Sequence, residues 1–202
     1  MSEVEQIEEN LRKLKKLGVS ETEIIKRYES KILSLKNGEL SYVFIKNIKG
    51  ADVKAHGNAI IESKNARWNY KFAKDIKGAD IKAHGKAVIE SKEPEWNYKF
   101  AKNVKGADIK AHEKVVIESK EPEWNYYFAR DVKGADVMAH GRVIIESKDS
   151  RVNDWFKKGF EDEYKFLKGN NLIDNAYNFI DDALDKMIKE NNEENKSMQK
   201  RS

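Results

Sequence analysis

A strict period of 28 residues constrains this chain more than any other feature. The tetrapeptide KGAD begins at residues 49, 77, 105 and 133, and the same spacing separates Phe44, Phe72, Phe100, Phe128 and Phe156. Self-similarity at such a period is the signature of repeat architectures, in which neighbouring units complete each other's core. We therefore place four full units at residues 37–148, followed by a degenerate half-unit that begins near Asp149.

Each unit predicts two short helices joined by a turn. In the second unit, residues 66–76 place their apolar side chains three and four positions apart, which is typical of one face of an α-helix. Asn65 and Asp80 are good N-cap residues for this helix and for a second helix over 81–91. Gly78 supplies the left-handed residue that the turn between them needs. Period-two alternation, the pattern of strands, is absent.

Two helices of this length cannot bury their own apolar faces, but stacked copies can. The sequence predicts an all-α, right-handed α-solenoid of four 28-residue helix–turn–helix repeats with helical N- and C-terminal caps. Asp162 stands where the repeat has glycine, so we expect one helix from about 150 to 168 and a last helix over 171–190. The domain boundaries are an N-terminal helical cap at 1–36, the repeats at 37–148, a half-repeat with a C-terminal helical cap at 149–190, and a disordered tail at 191–202.

The unit WNYKFAKDIKGADIKAHGKAVIESKEPE resembles the short tandem helical repeats with a YxFAxDVxGAD core in uncharacterised proteins of low-GC bacteria and their phages. It is more loosely similar to HEAT-like α-solenoids. The resemblance covers residues 37–148 and implies a fold. It carries over no functional residue, because helical repeats serve many partners.

Composition excludes several classes of protein. Charged residues make up 37% of the chain and the mean hydropathy is −0.82, and no run of about 20 apolar residues could cross a membrane. The absence of cysteine excludes disulfides, thiol catalysis and cysteine zinc sites. With no apolar signal segment near Met1, the sequence predicts a cytoplasmic protein.

Basic residues recur at fixed repeat positions and form two of the ladders that could meet a partner. One ladder contains Lys74, Lys102 and Arg130, and the other contains Lys77, Lys105 and Lys133. Such a stripe could bind phosphates or an acidic protein. The other interpretation is a solvated surface copied along with its repeat, and the mild net charge of the array, +5 over residues 41–149, favours it.

Aromatic residues recur as well. Trp68, Trp96 and Trp124 fit best as packing between repeats. A tyrosine follows each tryptophan by two positions, and on the helical wheel it lies to the side of the core. We expect Tyr70, Tyr98 and Tyr126 to form a partly exposed ridge of the kind that supplies binding hot spots.

The histidines His56, His84, His112 and His140 share one repeat position. Packed helices lie roughly 8–10 Å apart, whereas zinc ligands lie about 2 Å from the ion. Neighbouring histidines therefore cannot easily share a metal, and we interpret them as buried, hydrogen-bonded structural residues. No phosphate loop, nucleophile elbow or HExxH motif occurs. The sequence predicts no catalytic residue, no metal and no cofactor.

We therefore expect a non-enzymatic repeat scaffold that presents a repeated surface to a macromolecular partner, with a protein as the favoured partner. It would act as an adaptor or an inhibitor encoded by a bacterium or a phage, consistent with the excess of lysine over arginine typical of AT-rich genomes. The alternative is a nucleic-acid backbone binder that uses the lysine ladders. We expect no membrane partner, and a monomer or weak self-association.

Overall fold

The computed structural model describes residues 1–170 and the single positions 180, 184, 186 and 189, and this part of the chain is helical without strands. The predicted all-α class is thus confirmed. The predicted helix over 171–190 and the tail at 191–202 lie outside the continuously described residues. The helices with complete bounds are α1 (Glu3–Lys16), α2 (Glu21–Ser34), α3 (Gly38–Asn47), α4 (Val53–Glu62), α5 (Ala66–Asp75), α6 (Ile81–Ser91), α7 (Pro94–Asn103), α8 (Ile109–Ser119), α9 (Pro122–Asp131), α10 (Val137–Ser147) and α11 (Ser150–Gly159).

The repeats stack as two layers of helices. We call α3, α5, α7, α9 and α11 the A helices and α4, α6, α8 and α10 the B helices. In each full unit the A helix packs against its own B helix, and all A helices contact the A helices of adjacent units. Each B helix contacts its B neighbours more sparsely. Helices α1 and α2 cover α3 and α4 at the amino-terminal end of the stack. Among the described helices, none combines the length and the hydrophobicity that a membrane crossing demands.

The repeated phenylalanine is the centre of the core in every unit. Phe44, Phe72, Phe100, Phe128 and Phe156 are all fully buried. In each full unit the phenylalanine ring lies against the histidine ring of the following B helix, with centroids between 4.7 and 5.2 Å apart. Burial of a side chain of this size stabilises the fold by about 1.5–3 kcal/mol.

The helix caps lie at the positions that the sequence predicts. The Asn65 side chain accepts a hydrogen bond from Trp68 N, and the Asp80 side chain accepts one from Ala83 N. Pro94 and Pro122 begin α7 and α9, where a missing N–H costs little. The turn glycines have φ between +84° and +89°, as predicted for Gly78.

A second positive-φ position was not anticipated. The lysine that follows each B helix, and the one that follows α2, has φ between +48° and +59°; these residues are Lys36, Lys64, Lys92, Lys120 and Lys148. In α6, α8 and α10 this residue is the C-cap. An L-residue in this region costs roughly 1–2 kcal/mol. Every unit therefore carries the same local strain at the end of its B helix.

The prediction of one helix over 150–168 is wrong. Helix α11 ends at Gly159, Phe160 adopts a non-helical conformation with φ −144°, and residues 161–170 form a further helix. The break lets the chain fold back, so that Leu167 is buried beside Gly141 of α10. The Phe160 ring packs on Phe156, with centroids 5.2 Å apart. An uninterrupted helix would carry Leu167 away from this core.

Candidate functional site

A ladder of paired tyrosine and tryptophan rings joins successive A helices. Tyr42 lies against Trp68 with centroids 5.3 Å apart, and two further pairs, Tyr70–Trp96 and Tyr98–Trp124, are 5.8 Å apart. The interpretation of the tryptophans as packing between repeats is therefore confirmed.

The expectation of an exposed tyrosine ridge is wrong for Tyr70 and Tyr98, which are each 8% exposed. Tyr126 is half-buried. The tryptophan of the next unit covers each tyrosine ring, and the hydroxyl reaches the end of the next A helix. Asn103 Nδ2 donates to the Tyr70 hydroxyl at 3.1 Å, and the Tyr98 hydroxyl donates to Asp131. These tyrosines connect the repeats, so their removal would disturb the scaffold itself.

Two members of the first basic ladder share one carboxylate within the chain. Lys102 Nζ donates to Asp131 Oδ2 at 2.8 Å and to the Tyr98 hydroxyl at 2.9 Å. Arg130 Nε donates to Asp131 Oδ1 at 2.7 Å. The Arg130 guanidinium, together with Lys102, holds the pKa of Asp131 well below its usual range. Because these cations already share a carboxylate, they have less charge to offer a partner.

The other predicted basic residues are exposed. Lys74 Nζ lies 5.7 Å from the centroid of Tyr70. Lys77, Lys105 and Lys133 lie in the turns that join A to B helices and do not border the groove between α5 and α7. Their role in binding stays a prediction.

A shallow groove on the A layer lies between α5 and α7. This groove, which we call the A-face groove, has a volume of about 500 Å³ and is bordered by Arg67, Tyr70, Lys71, Trp96, Tyr98, Lys99, Lys102 and Asn103. Aromatic rings hold its cations in place. Arg67 Cζ and Lys71 Nζ lie 4.9 and 4.4 Å from the Trp68 centroid, and Lys99 Nζ lies 4.3 Å from that of Trp96.

Positive charge in this groove is only partly balanced. Lys99 pairs with Glu95, and Lys102 pairs with Asp131. Within the described part of the chain, Arg67 and Lys71 form no ion pair with a carboxylate. Burial and the neighbouring cations, Arg67 above all, lower the pKa of Lys71. The α5 side of the groove is therefore a concentration of positive charge, on which Glu39 and Asp75 act only from beyond ion-pair distance.

Sequence reasoning missed Arg67 and Lys71 because it looked for residues that recur in every unit. The first unit has Glu39 at the position of Arg67, and the fourth has Tyr127 at that of Lys71. The available signal was local: Arg67, Lys71 and Lys74 are spaced i, i+4 and i+7, which places three cations on one face of α5.

The histidines are structural in the second to fourth units, as predicted. The Nδ1 atoms of His84, His112 and His140 lie 2.7–2.8 Å from the Oδ1 atoms of Asn69, Asn97 and Asn125. Each asparagine amide donates to two backbone carbonyls, so its oxygen accepts and the histidine Nδ1 carries the proton. Nε2 of the neutral ring then carries no proton, so it can accept a hydrogen bond but cannot donate one.

Burial lowers the pKa of His84 and of His112 to about 4, and it lowers the pKa of His56 as well. His56 differs from the others because Ser41 replaces the asparagine, and neither of its ring nitrogens forms a hydrogen bond with the residues described. Residues 1–170 and the four isolated described positions contain no group of three side chains suited to a metal ion.

Neither a protein family model nor a curated protein nor a solved structure matches this chain. The resemblance to repeat proteins of low-GC bacteria and phages stays a prediction. The function must be argued from the geometry of the surface.

Proposed function

We propose that this protein is a non-enzymatic repeat scaffold that binds an acidic surface of a protein partner through the A-face groove, as an adaptor or an inhibitor. One observation carries the proposal. Arg67 and Lys71 are both held against the Trp68 ring, and no carboxylate of the described chain pairs with either of them. A partner that places carboxylates in the groove would supply the missing countercharge.

The aromatic contacts favour binding because they hold the cations in place beforehand. Immobilising a long side chain at an interface costs about 0.5–1.5 kcal/mol. Contact with Trp68 has already restricted Arg67 and Lys71, so less of this cost falls on binding. The half-buried Trp96 adds apolar surface beside the charges. An aromatic ring flanked by cations is a common composition for an interaction hot spot.

A protein partner suits this groove better than a nucleic acid. Aromatic side chains that bind single strands leave a ring face free for a base. Here Lys71 and Arg67 lie over Trp68, and Lys99 lies over Trp96. Stacked helices also place equivalent lysines roughly 8–10 Å apart, whereas charges along one DNA strand recur every 3.4 Å. A backbone binder that uses the lysine ladders is the alternative that the experiment must separate.

The experiment is an affinity capture from cells of the native host, with and without nuclease treatment. The test variant is Arg67→Ala/Lys71→Ala. The matched control, Lys114→Ala/Arg142→Ala, removes the same charge from exposed positions on α8 and α10. Circular dichroism confirms that both variants keep the helical fold.

The proposal expects a protein that binds the wild type and the control, is lost from the test variant, and is retained after nuclease treatment. Loss of the partner after nuclease treatment would instead support the alternative, in which the protein binds a nucleic-acid backbone. Equal capture by the test and control variants would show that the A-face groove is not the binding site.

A further inference from the structure

An open apolar groove lies at the amino-terminal end of the stack. Helices α1 and α2 both pack on α3, yet they do not pack closely on each other. The groove between them has a volume of about 270 Å³, and its border is aliphatic or aromatic apart from Asn10 and Lys31. The border includes Ile7, Leu14, Tyr28, Ile32 and Leu35. We call it the N-terminal groove.

The two ends of the stack are the places where apolar side chains remain uncovered. Within the described chain, every exposed large apolar side chain lies in one of the terminal caps and none lies in the four full units. These side chains are Met1, Ile7, Leu17 and Leu35 at the amino-terminal end and Phe166, Ile180 and Leu184 at the carboxyl-terminal end. Leu35, on the border of the N-terminal groove, is 65% exposed. Neighbouring units cover each other, whereas each end has only one neighbour.

The carboxyl-terminal end carries an apolar helix face that could fill such a groove. Ile180 and Leu184 are helical positions four residues apart, and they are 52% and 51% exposed. Residues at this spacing lie on one face of a helix. The sequence continues the same spacing with Ile173, Ala176 and Met187. We call residues 171–190 the C-terminal segment.

The two ends also carry opposite charge. Residues 11–36 contain eight basic and three acidic side chains, whereas residues 160–185 contain seven acidic and two basic side chains. Charge complementarity of this kind favours an encounter between the two ends and orients it. It opposes contact between two identical ends.

The charges nearest the two apolar surfaces match in spacing. Arg27 and Lys31 are four positions apart on α2, and Arg27 Cζ lies 5.8 Å from the ring centroid of Tyr28, which borders the groove. Within the described residues, neither cation forms an ion pair. In the sequence of the C-terminal segment, Asp181 and Asp185 have the same four-residue spacing and directly follow the two exposed apolar residues. An acidic pair thus accompanies the apolar face, and a basic pair accompanies the groove.

The C-terminal segment cannot reach the groove of its own chain. The five A helices from α3 to α11 separate the two ends, and four steps between packed helices amount to roughly 32–40 Å. Ile180 follows residue 170 by ten positions, which is a rise of about 15 Å along a helix. A second copy of the chain is therefore needed to bring this segment to the groove.

We propose that the N-terminal groove binds the C-terminal segment of a second copy of this chain. Ile180 and Leu184 occupy the groove, and the aspartates that follow them lie beside Arg27 and Lys31. Because the groove and the segment lie at opposite ends of the stack, the contact is heterologous and each added copy leaves one groove and one segment available. The protein thus assembles head to tail into open chains. The proposal does not depend on the A-face groove.

The test is sedimentation of the full chain over concentrations up to the millimolar range, which gives the average mass. The mass of the wild type should rise beyond two chains as the concentration increases. High salt should weaken the association, because salt screens exposed charges. A wild type that stays monomeric would overturn the proposal and leave the groove to a different partner. A mass that stops at two chains would contradict the open, head-to-tail form.

Two substitutions test the two halves of the contact. Leu35→Asp places a charge on the border of the groove, and Leu184→Asp places one on the apolar face of the segment; each should weaken the association at least about tenfold. The matched controls are Leu17→Asp and Phe166→Asp, which alter exposed apolar side chains at the same two ends but outside the groove and the segment. The controls should associate like the wild type. Equal weakening by the controls would show that the contact is not specific to the groove and the segment.

Mixing the two test variants identifies the surfaces that meet. Leu35→Asp retains an intact segment, and Leu184→Asp retains an intact groove. An equimolar mixture should therefore form dimers of one copy of each with wild-type affinity, and nothing larger. Failure of the mixture to associate would overturn the proposal, and circular dichroism confirms beforehand that both variants keep the helical fold.

Discussion

Acidification from pH 7 to pH 5 should destabilise this protein through its buried histidines. The pKa of His84 and of His112 is about 4 in the folded chain, against an ordinary value of 6.5. Between these values the unfolded chain binds more protons than the folded chain. Stability is therefore complete above about pH 6.5 and falls as the pH drops towards 4.

The expected loss is large enough to measure. For one histidine with these two pKa values, linkage gives a loss of about 2 kcal/mol between pH 7 and pH 5. His84 and His112 together account for about 4 kcal/mol, a large part of the 5–15 kcal/mol that stabilises a typical domain. Most carboxylates titrate below this pH range, so the histidines dominate the change.

Urea denaturation at pH 7.0, 6.0 and 5.0 measures this loss, and His84→Asn and His112→Asn are the matched variants. Asparagine can still donate to Asn69 or Asn97 from a position close to that of Nδ1, but it does not titrate. Each substitution leaves a cavity that lowers absolute stability, so the comparison concerns the pH dependence. Each variant should lose about 2 kcal/mol less than the wild type between pH 7 and pH 5. A wild-type loss below about 1 kcal/mol, or an imidazole pKa above 6 by NMR, would refute the reasoning.

Three further predictions concern the packing and backbone of the repeat, and urea denaturation at pH 7 tests each. Phe100→Ala should cost about 3–5 kcal/mol, because the ring is fully buried; a loss below 1 kcal/mol would contradict the assignment of the core. Lys92→Gly should stabilise by up to about 1 kcal/mol, since glycine relieves the strain of φ +58° and its greater flexibility offsets only part of the gain; a loss of stability would argue against that strain. Gly106→Ala should destabilise by about 1 kcal/mol although nothing lies within 4 Å of the new Cβ, because φ is +87° there; an unchanged midpoint would show that the turn tolerates a side chain.

The sequence determined the features that depend on local signals repeated at a fixed period. These signals act within a few positions of the chain: they are caps such as Asn65 and Asp80, the turn glycines and the helical spacing of the core residues. Because the same signals occur in four units, each unit supports the helix boundaries predicted for the others. The break at Phe160 was not predictable in this way. It depends on Leu167 packing beside Gly141, a contact between residues 26 positions apart that occurs once rather than in every unit.

Exposure of the tyrosines also depended on tertiary contacts. A helical wheel placed Tyr70 to the side of the core, but the wheel of one helix does not show what the next unit places against that side. Trp96, 26 residues later, covers the ring, and Asn103 donates a hydrogen bond to the hydroxyl. A residue on the flank of a solenoid helix is buried or exposed according to its neighbour in the stack.

The A-face groove lies where the repeats differ. The sequence shows by itself that Gly85 and Glu113 occupy one repeat position, and that Arg67 and Lys71 are not shared by every unit. Only the tertiary structure shows that the Glu113 carboxylate accepts a hydrogen bond from the Asp136 N–H. It also shows that Gly85, one unit earlier, borders an open groove beside Asp108. The period specifies the scaffold because packing requires equivalent contacts in each unit, whereas binding chemistry depends on which donors are left without an acceptor after the units have stacked.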